Sequence, residues 1–222
     1  PLEIEIGEEQ TSRLRAMAEQ TGASLNTCVQ AAWYLTLLHY SSQPVVTFGT
    51  TRACRHVVED SADMVGLLIN TVPMVLEVDR RETVAELLAR LRCEQVDLRR
   101  HEATPLPVIA ECGGGGGAEL FESIVVFDDA SLDSRMRAAF PDHADARRFR
   151  YDGQTNFPLT LLAYGDPSMI VRLEYAVDRY DEATARLLLD HYLNLLNGMA
   201  ADPDRVAVAI PYLTAAEHEH YD

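Results

Sequence analysis

Apolar and polar positions alternate with changing period along this chain. Leu2, Ile4 and Ile6 alternate with acids, which predicts a short strand. From Glu8 to Thr21 the spacing of Leu14, Met17 and Ala18 is helical, and Gly22 is placed to stop the turn. Ser24 is a capping residue for a second helix, Leu25 to Tyr40, whose apolar residues cover more than one face; such a helix belongs inside. Val45 to Thr51 (VVTFGTT) and Thr71 to Val78 (TVPMVLEV) are rich in β-branched residues and predict strands. Between them lies a polar stretch of about twenty residues, longer than an ordinary connection and so a candidate for function.

The second half repeats the mixture. Thr83 to Arg100 is amphipathic, with Val84, Leu87, Leu88 and Leu91 as its buried stripe. Gly113 to Gly117 reads as a flexible tip, Ser123 to Phe127 as a buried strand, and Asp129 to Gln154 as a long charged excursion. Phe157 to Tyr164 and Met169 to Val177 predict a hairpin; Met169, Val171, Leu173, Tyr175 and Val177 share one face, with Arg172 and Glu174 on the other. Asp181 caps a last long helix reaching about Ala200, packed through Leu188, Tyr192, Leu195 and Met199. The punctuation by proline after it suggests a linker over 202–222, following a single domain over 1–201. Strict βαβ alternation is missing, so the expected class is α/β in the loose sense: an α+β sandwich, a mixed sheet covered by helices.

Composition narrows the function classes. A net charge of −16 with no run of Lys or Arg excludes a nucleic-acid footprint and an anionic membrane surface. No apolar run approaches a membrane span and no signal peptide opens the chain. Cys28, Cys54, Cys93 and Cys112 form no Cys-x-x-Cys pair, which fits reduced, mostly buried thiols and a cytoplasmic location. Because the first residue is Pro1, the chain reads as a piece of something longer.

The chemical motifs that can be searched for are mostly missing. There is no Gly-x-Ser-x-Gly elbow and no Walker loop, and the glycine run is not followed by Lys-Ser/Thr. His218-x-His220 beside Asp222 is a weak metal pattern in a fraying tail, and no metal site is assigned. His39 and His191 lie on helices, where packing or an exposed face is the plain reading. Gly66 reads as a point of close backbone approach or a bulge. Asn70 is the candidate amide: it can tie the loop before it to the sheet, or it can shape a substrate site, and both readings stand. Asn156 invites the same pair.

Several stretches together resemble one family. Met64 to Pro73 (MVGLLINTVP) resembles the Val/Ile-Gly-x-Phe-Val/Ile-Asn-Thr motif of condensation domains of nonribosomal peptide synthetases, with Leu68 where phenylalanine is usual. Val46 to Thr51, His101 to Leu106 (HEATPL), Leu120-Phe121, Thr155 to Leu159 (TNFPL) and Pro211 to Thr214 agree in order and spacing, over nearly the whole chain. The resemblance is to the C-terminal lobe. It implies a chloramphenicol-acetyltransferase-like lobe, one of two forming a tunnel in which an acceptor amine attacks a donor thioester. The implied partners are an N-terminal lobe, peptidyl carrier proteins bearing phosphopantetheine arms, and an adjacent adenylation domain. No cofactor is expected on the chain itself, and an exposed lobe face could let the fragment pair as a homodimer.

The same resemblance disposes of a look-alike. Arg55-His56 to Asp60-Ser61 (RHVVEDS) is two substitutions from the family's His-His-x-x-x-Asp-Gly, whose histidine works on the attacking group. In the family that motif belongs to the other lobe. Arg52, Arg55 and His56 are then expected in a variable loop flooring the tunnel, with Asn70, Thr71, Gly66 and Asn156 as tunnel or structural positions and no catalytic residue on this chain. A condensation-like module that recruits carriers or tailoring enzymes is the alternative, and epimerisation or heterocyclisation a further one.

Overall fold

The computed structural model describes residues 1–54, 60, 64–112, 120–129, 135, 155–165 and 167–221. Arg55, His56, the glycine run and most of the 129–154 excursion lie outside the described residues.

Six strands form one sheet in the order β1-β6-β5-β4-β2-β3: β1 (Leu2–Ile6), β2 (Val45–Ala53), β3 (Ile69–Glu77), β4 (Ser123–Asp128), β5 (Leu159–Gly165) and β6 (Met169–Tyr175). The neighbours β2, β4 and β5 run parallel, while β3, β6 and β1 are antiparallel to theirs. One face carries alternate residues inward: Val46 and Phe48, Val72, Met74 and Leu76, Val125, Leu161, and Met169, Val171 and Leu173. The helices α1 (Glu8–Gln20), α2 (Leu25–Ser41), α3 (Val84–Leu98) and α5 (Glu182–Ala201) pack on it. A short α4 (Leu106–Cys112), which the apolar spacing does not predict, has no buried residue.

Helix α2 is the central one. It buries Trp33, Tyr34 and Leu35 and touches β2, β4 and all three other long helices, which is why its sequence is apolar around most of its circumference. Ser24 and Thr27 form its capping box, and Trp33 Nε1–H donates to Ser123 Oγ at 3.2 Å, so the indole is buried without losing its partner. Gly49 is required where it stands: a Cβ there would run into the Phe121 ring and come within 2.7 Å of Ile124 Cγ2. Pro73 is tolerated because β3 is an edge strand, and its missing N–H blunts that edge.

Two expectations change. Strand β6 stops at Tyr175, and Val177 sits in the following turn, 84% exposed, rather than on the buried face. Two of the four thiols, Cys93 and Cys112, are exposed. From Asp202 onward the chain stays against the lobe. Val84 N–H donates to Arg205 O, Ala207 and Ile210 are buried, a 3-10 turn covers Ala207–Ala209, and α6 (Ala215–Tyr221) follows. Gly198 lets this segment cross α5, because any Cβ would strike Ile210.

Candidate functional site

The open ground of the lobe lies where β2 and β4 end and α2 begins. Ser24, Asn26, Thr51, Arg52, Arg99, Glu102 and Asp128 are among the residues lining a cleft of about 680 Å³ there. Its polar wall grows out of the strand pair β2–β3, in which Arg52 stands opposite Asn70 and Thr51 opposite Thr71. Alternation sends Arg52 and Asn70 to the helix face, toward α3 and the turn after it, and Thr51 and Thr71 to the other face.

Asn70 spends its amide on that turn. Nδ2 donates to Glu102 O and to Thr104 O, both at 2.8 Å. Arg52 reaches the same region: Nη2 donates to Gln95 O at 2.5 Å, and Nε lies 3.6 Å from the Glu102 carboxylate, which is only 4% exposed. Burial lowers the Arg52 pKa and the Glu102 charge opposes that shift. The loop that leaves β2 is closed at its root by Cys54 N–H donating to Leu68 O at 2.8 Å. Cys54 Sγ also lies 3.3 Å from Glu102 O, and burial, with the Glu102 charge second, raises its thiol pKa.

The predicted site residues therefore divide. Arg52, Asn70 and Thr71 come together at this end of the sheet. Asn156 does not join them: it precedes β5, which starts level with Ser123 at the opposite end of the parallel strands, and it is exposed. Among the described residues, a Cβ on Gly66 would meet nothing within 4 Å. Arg55 and His56 lie outside the described residues. Glu102 and Cys54 are the members that sequence reasoning missed. The signal for Glu102 was a charged residue inside HEATPL, which local pattern alone does not mark as buried.

A second polar cluster stands elsewhere, between α2, α5 and the C-terminal segment. His191 is buried; its Nε2 lies 2.7 Å from Glu217 Oε2 and its Nδ1 2.8 Å from the Tyr40 hydroxyl. With Nε2–H donating to the carboxylate, Nδ1 is left to accept from Tyr40. Tyr212 stacks on His39 at 4.2 Å and meets His191 edge-on, and Asn194 Nδ2 donates to Tyr212 O at 2.9 Å. The His191 hydrogen bond, then Thr214, hold the Glu217 pKa down at about 2. Among the described residues no group of three or more His, Cys, Asp and Glu could hold a metal, and no helix is long and apolar enough to cross a membrane.

The sequence description of the family "Condensation domain" matches residues 2–220. One of the linear gramicidin synthase polypeptides of Brevibacillus parabrevis is 33% identical over 222 residues, covering 97% of this chain and 3% of that one. Among solved structures, a holo four-domain nonribosomal peptide synthetase bound to AMP and glycine superposes with a TM-score of 0.82 at 16% identity, over 98% of this chain and 18% of the other. The first condensation domain of the CDA synthetase gives 0.78 at 19% identity, over 96% of this chain and 46% of that chain. The chain belongs to the condensation-domain family. Its mixed sheet with helices on one face is the chloramphenicol-acetyltransferase-like lobe of that family. It spans a few per cent of the length of the gramicidin synthase polypeptide it matches, and about half of a condensation domain.

Proposed function

We propose that this lobe is the C-terminal half of a domain that joins carrier-bound aminoacyl or peptidyl thioesters by an amide bond in nonribosomal peptide synthesis. The acceptor amine displaces the donor's phosphopantetheine thiol, so one C–N bond forms as one C–S bond breaks. The family match over 2–220 carries this reading. The cleft supports it by its place, at the root of the 54–68 connection, where a tunnel floor is expected. The histidine motif belongs to the other lobe, and this half supplies shape and charge rather than the proton-handling group. Arg52 and Asn70 act on the floor, Thr71 lines the sheet beside it, and Asn156 serves at the far end.

The partners follow from the same reading: an N-terminal lobe, carrier proteins with phosphopantetheine arms, and an adenylation domain beyond residue 222. A seam for the other lobe is at hand in Met64, Val65, Leu67 and Ile69. These side chains lead into edge strand β3, and Val65 and Leu67 are fully or almost fully exposed, at 105% and 87%.

The test is single-turnover amide formation by the complete synthetase module, with donor-loaded and acceptor-loaded carriers and the product read by mass. The expected result is a condensed product on the acceptor carrier, abolished by altering the upstream His-His-x-x-x-Asp-Gly. A module whose upstream motif is broken, and which binds carriers or tailoring enzymes without condensing them, overturns the reading in favour of recruitment.

A further inference from the structure

The long connection between β2 and β3 is fastened at both shoulders to one peptide carbonyl. Cys54 Sγ approaches Glu102 O from the outgoing shoulder, and Asn70 Nδ2 donates to the same oxygen from the returning one. The residue that owns this carbonyl also turns its carboxylate toward strand β2. The Glu102 carboxylate is buried and faces Arg52, two residues before Cys54 on the same strand, and Arg52 in turn holds Gln95 O at the end of α3. A buried carboxylate must be paired, and its cation here is supplied by the strand that launches the loop. The pair forms one wall of the cleft, so whatever displaces Glu102 also displaces both ends of the 54–68 connection.

We infer that Glu102 is a positioning residue: through its carbonyl and its pairing with Arg52 it fixes the root of the 54–68 connection at Cys54 and Asn70, and so the cleft wall beside which the acceptor is presented. This rests on the proposed amide-forming reading and goes beyond it, since it gives a residue of the HEATPL stretch a task in the reaction without contact to substrate.

Cys54 is a built-in reporter. In the complete synthetase chain, the rate of Cys54 alkylation is followed peptide by peptide, with buried Cys28, in the middle of the core, as the control for unfolding. Glu102→Gln and Arg52→Gln are each expected to speed Cys54 alkylation at least tenfold while Cys28 stays protected. Arg52→Gln is the sharper arm. Withdrawing a cation slows a thiol on charge alone, so faster reaction there reports opening of the loop root. With both carriers saturating, kcat for condensation falls about tenfold in each single variant. The Arg52→Gln, Glu102→Gln double falls no further than the worse single, because the two act as one unit. Glu102→Asp, which keeps the charge and the carbonyl, restores most of the rate.

Cys54 as protected as in the unaltered chain in both single variants overturns the inference outright. Cys54 opened with kcat unchanged also overturns it, because the loop is then fixed by Glu102 to no catalytic purpose; the amide-forming reading survives that outcome. A complete module that forms no amide before any substitution is the separate failure of the reading itself. Where Glu102→Gln exposes Cys28 too, Arg52→Lys, which keeps the charge and loses the planar fork, makes the same measurement in a folded chain.

Discussion

The two polar clusters of this lobe use the same materials and serve different ends. Around Glu102, a carboxylate, a cation and an amide are built beside an open cleft and at the root of a long connection. Around His191, a carboxylate and a phenol flank a buried imidazole where the last residues fold back on α2 and α5. In each, the buried ionisable group at the centre faces a partner: Glu102 faces Arg52, and His191 faces Glu217 and Tyr40. The difference lies in what each cluster holds: the first fixes a segment bordering empty space, the second closes the end of the domain. A buried network with good hydrogen bonds is therefore no sign of an active site by itself, and a cleft with loop roots tied to it is the stronger one.

The comparison can be broken by substitutions that address one region at a time. Asn70→Ala has the largest expected effect. It removes the Asn70 amide from both carbonyls of the 102–104 turn, leaving Glu102 O only the weak Cys54 thiol donor, at a cost of about 2–3 kcal/mol, or roughly 5–10 °C in Tm. Calorimetry measures the fall, and alkylation should find Cys54 opened while the C-terminal segment stays protease-resistant. His191→Ala is expected to do the converse. Tm drops by about 5 °C, cleavage appears within 202–214, and both Cys54 protection and condensation per folded molecule are unchanged. Cleavage and lost activity appearing together would erase the distinction between the two regions.

Sheet order aside, much of the architecture was legible in the sequence. The stripes of α3 and α5, the cap at Ser24 and the alternation of β6 announce themselves because their signals are local. The tail did not. Its anchors, Ala207, Ile210 and Tyr212, are spaced irregularly and acquire meaning only through Gly198 and Asn194 on the helix before it and through His39, far back on α2. For the candidate site, Asn70 was visible from its motif. Glu102 was not, because a buried acid is recognisable only from the arginine that faces it across the fold. Asn156 shows how motif and place can part: the sequence groups it with Asn70, and in the fold it lies at the other end of the parallel strands.

Smaller effects sharpen the contrast further. Glu217 has its pKa depressed in the folded state, so its contribution to stability is complete above about 4.5 and is lost as pH falls toward about 2. The C-terminal segment should then loosen across that acid window, read by proteolysis at each pH, and Glu217→Gln should remove this step from the profile. The smallest change concerns partners. With a net charge of −16 the lobe repels acidic carrier proteins at long range, so carrier affinity should vary less than about twofold between low and physiological salt, or rise with salt. A steep loss on adding salt, measured by titration of a loaded carrier, points instead to a local basic docking patch.

The first strand pairs with the last. Leu2 to Ile6 lies along Leu173 to Met169, so the edge of the sheet is completed by segments more than 160 residues apart in the chain. On the ribosome, β1 emerges with nothing to pair against and must wait for β6, roughly ten to thirty seconds later at ordinary elongation rates. Until then Ile4 and its neighbours are an unsatisfied edge, and the lobe is a late-maturing body whose assembly is timed by translation of its own final third.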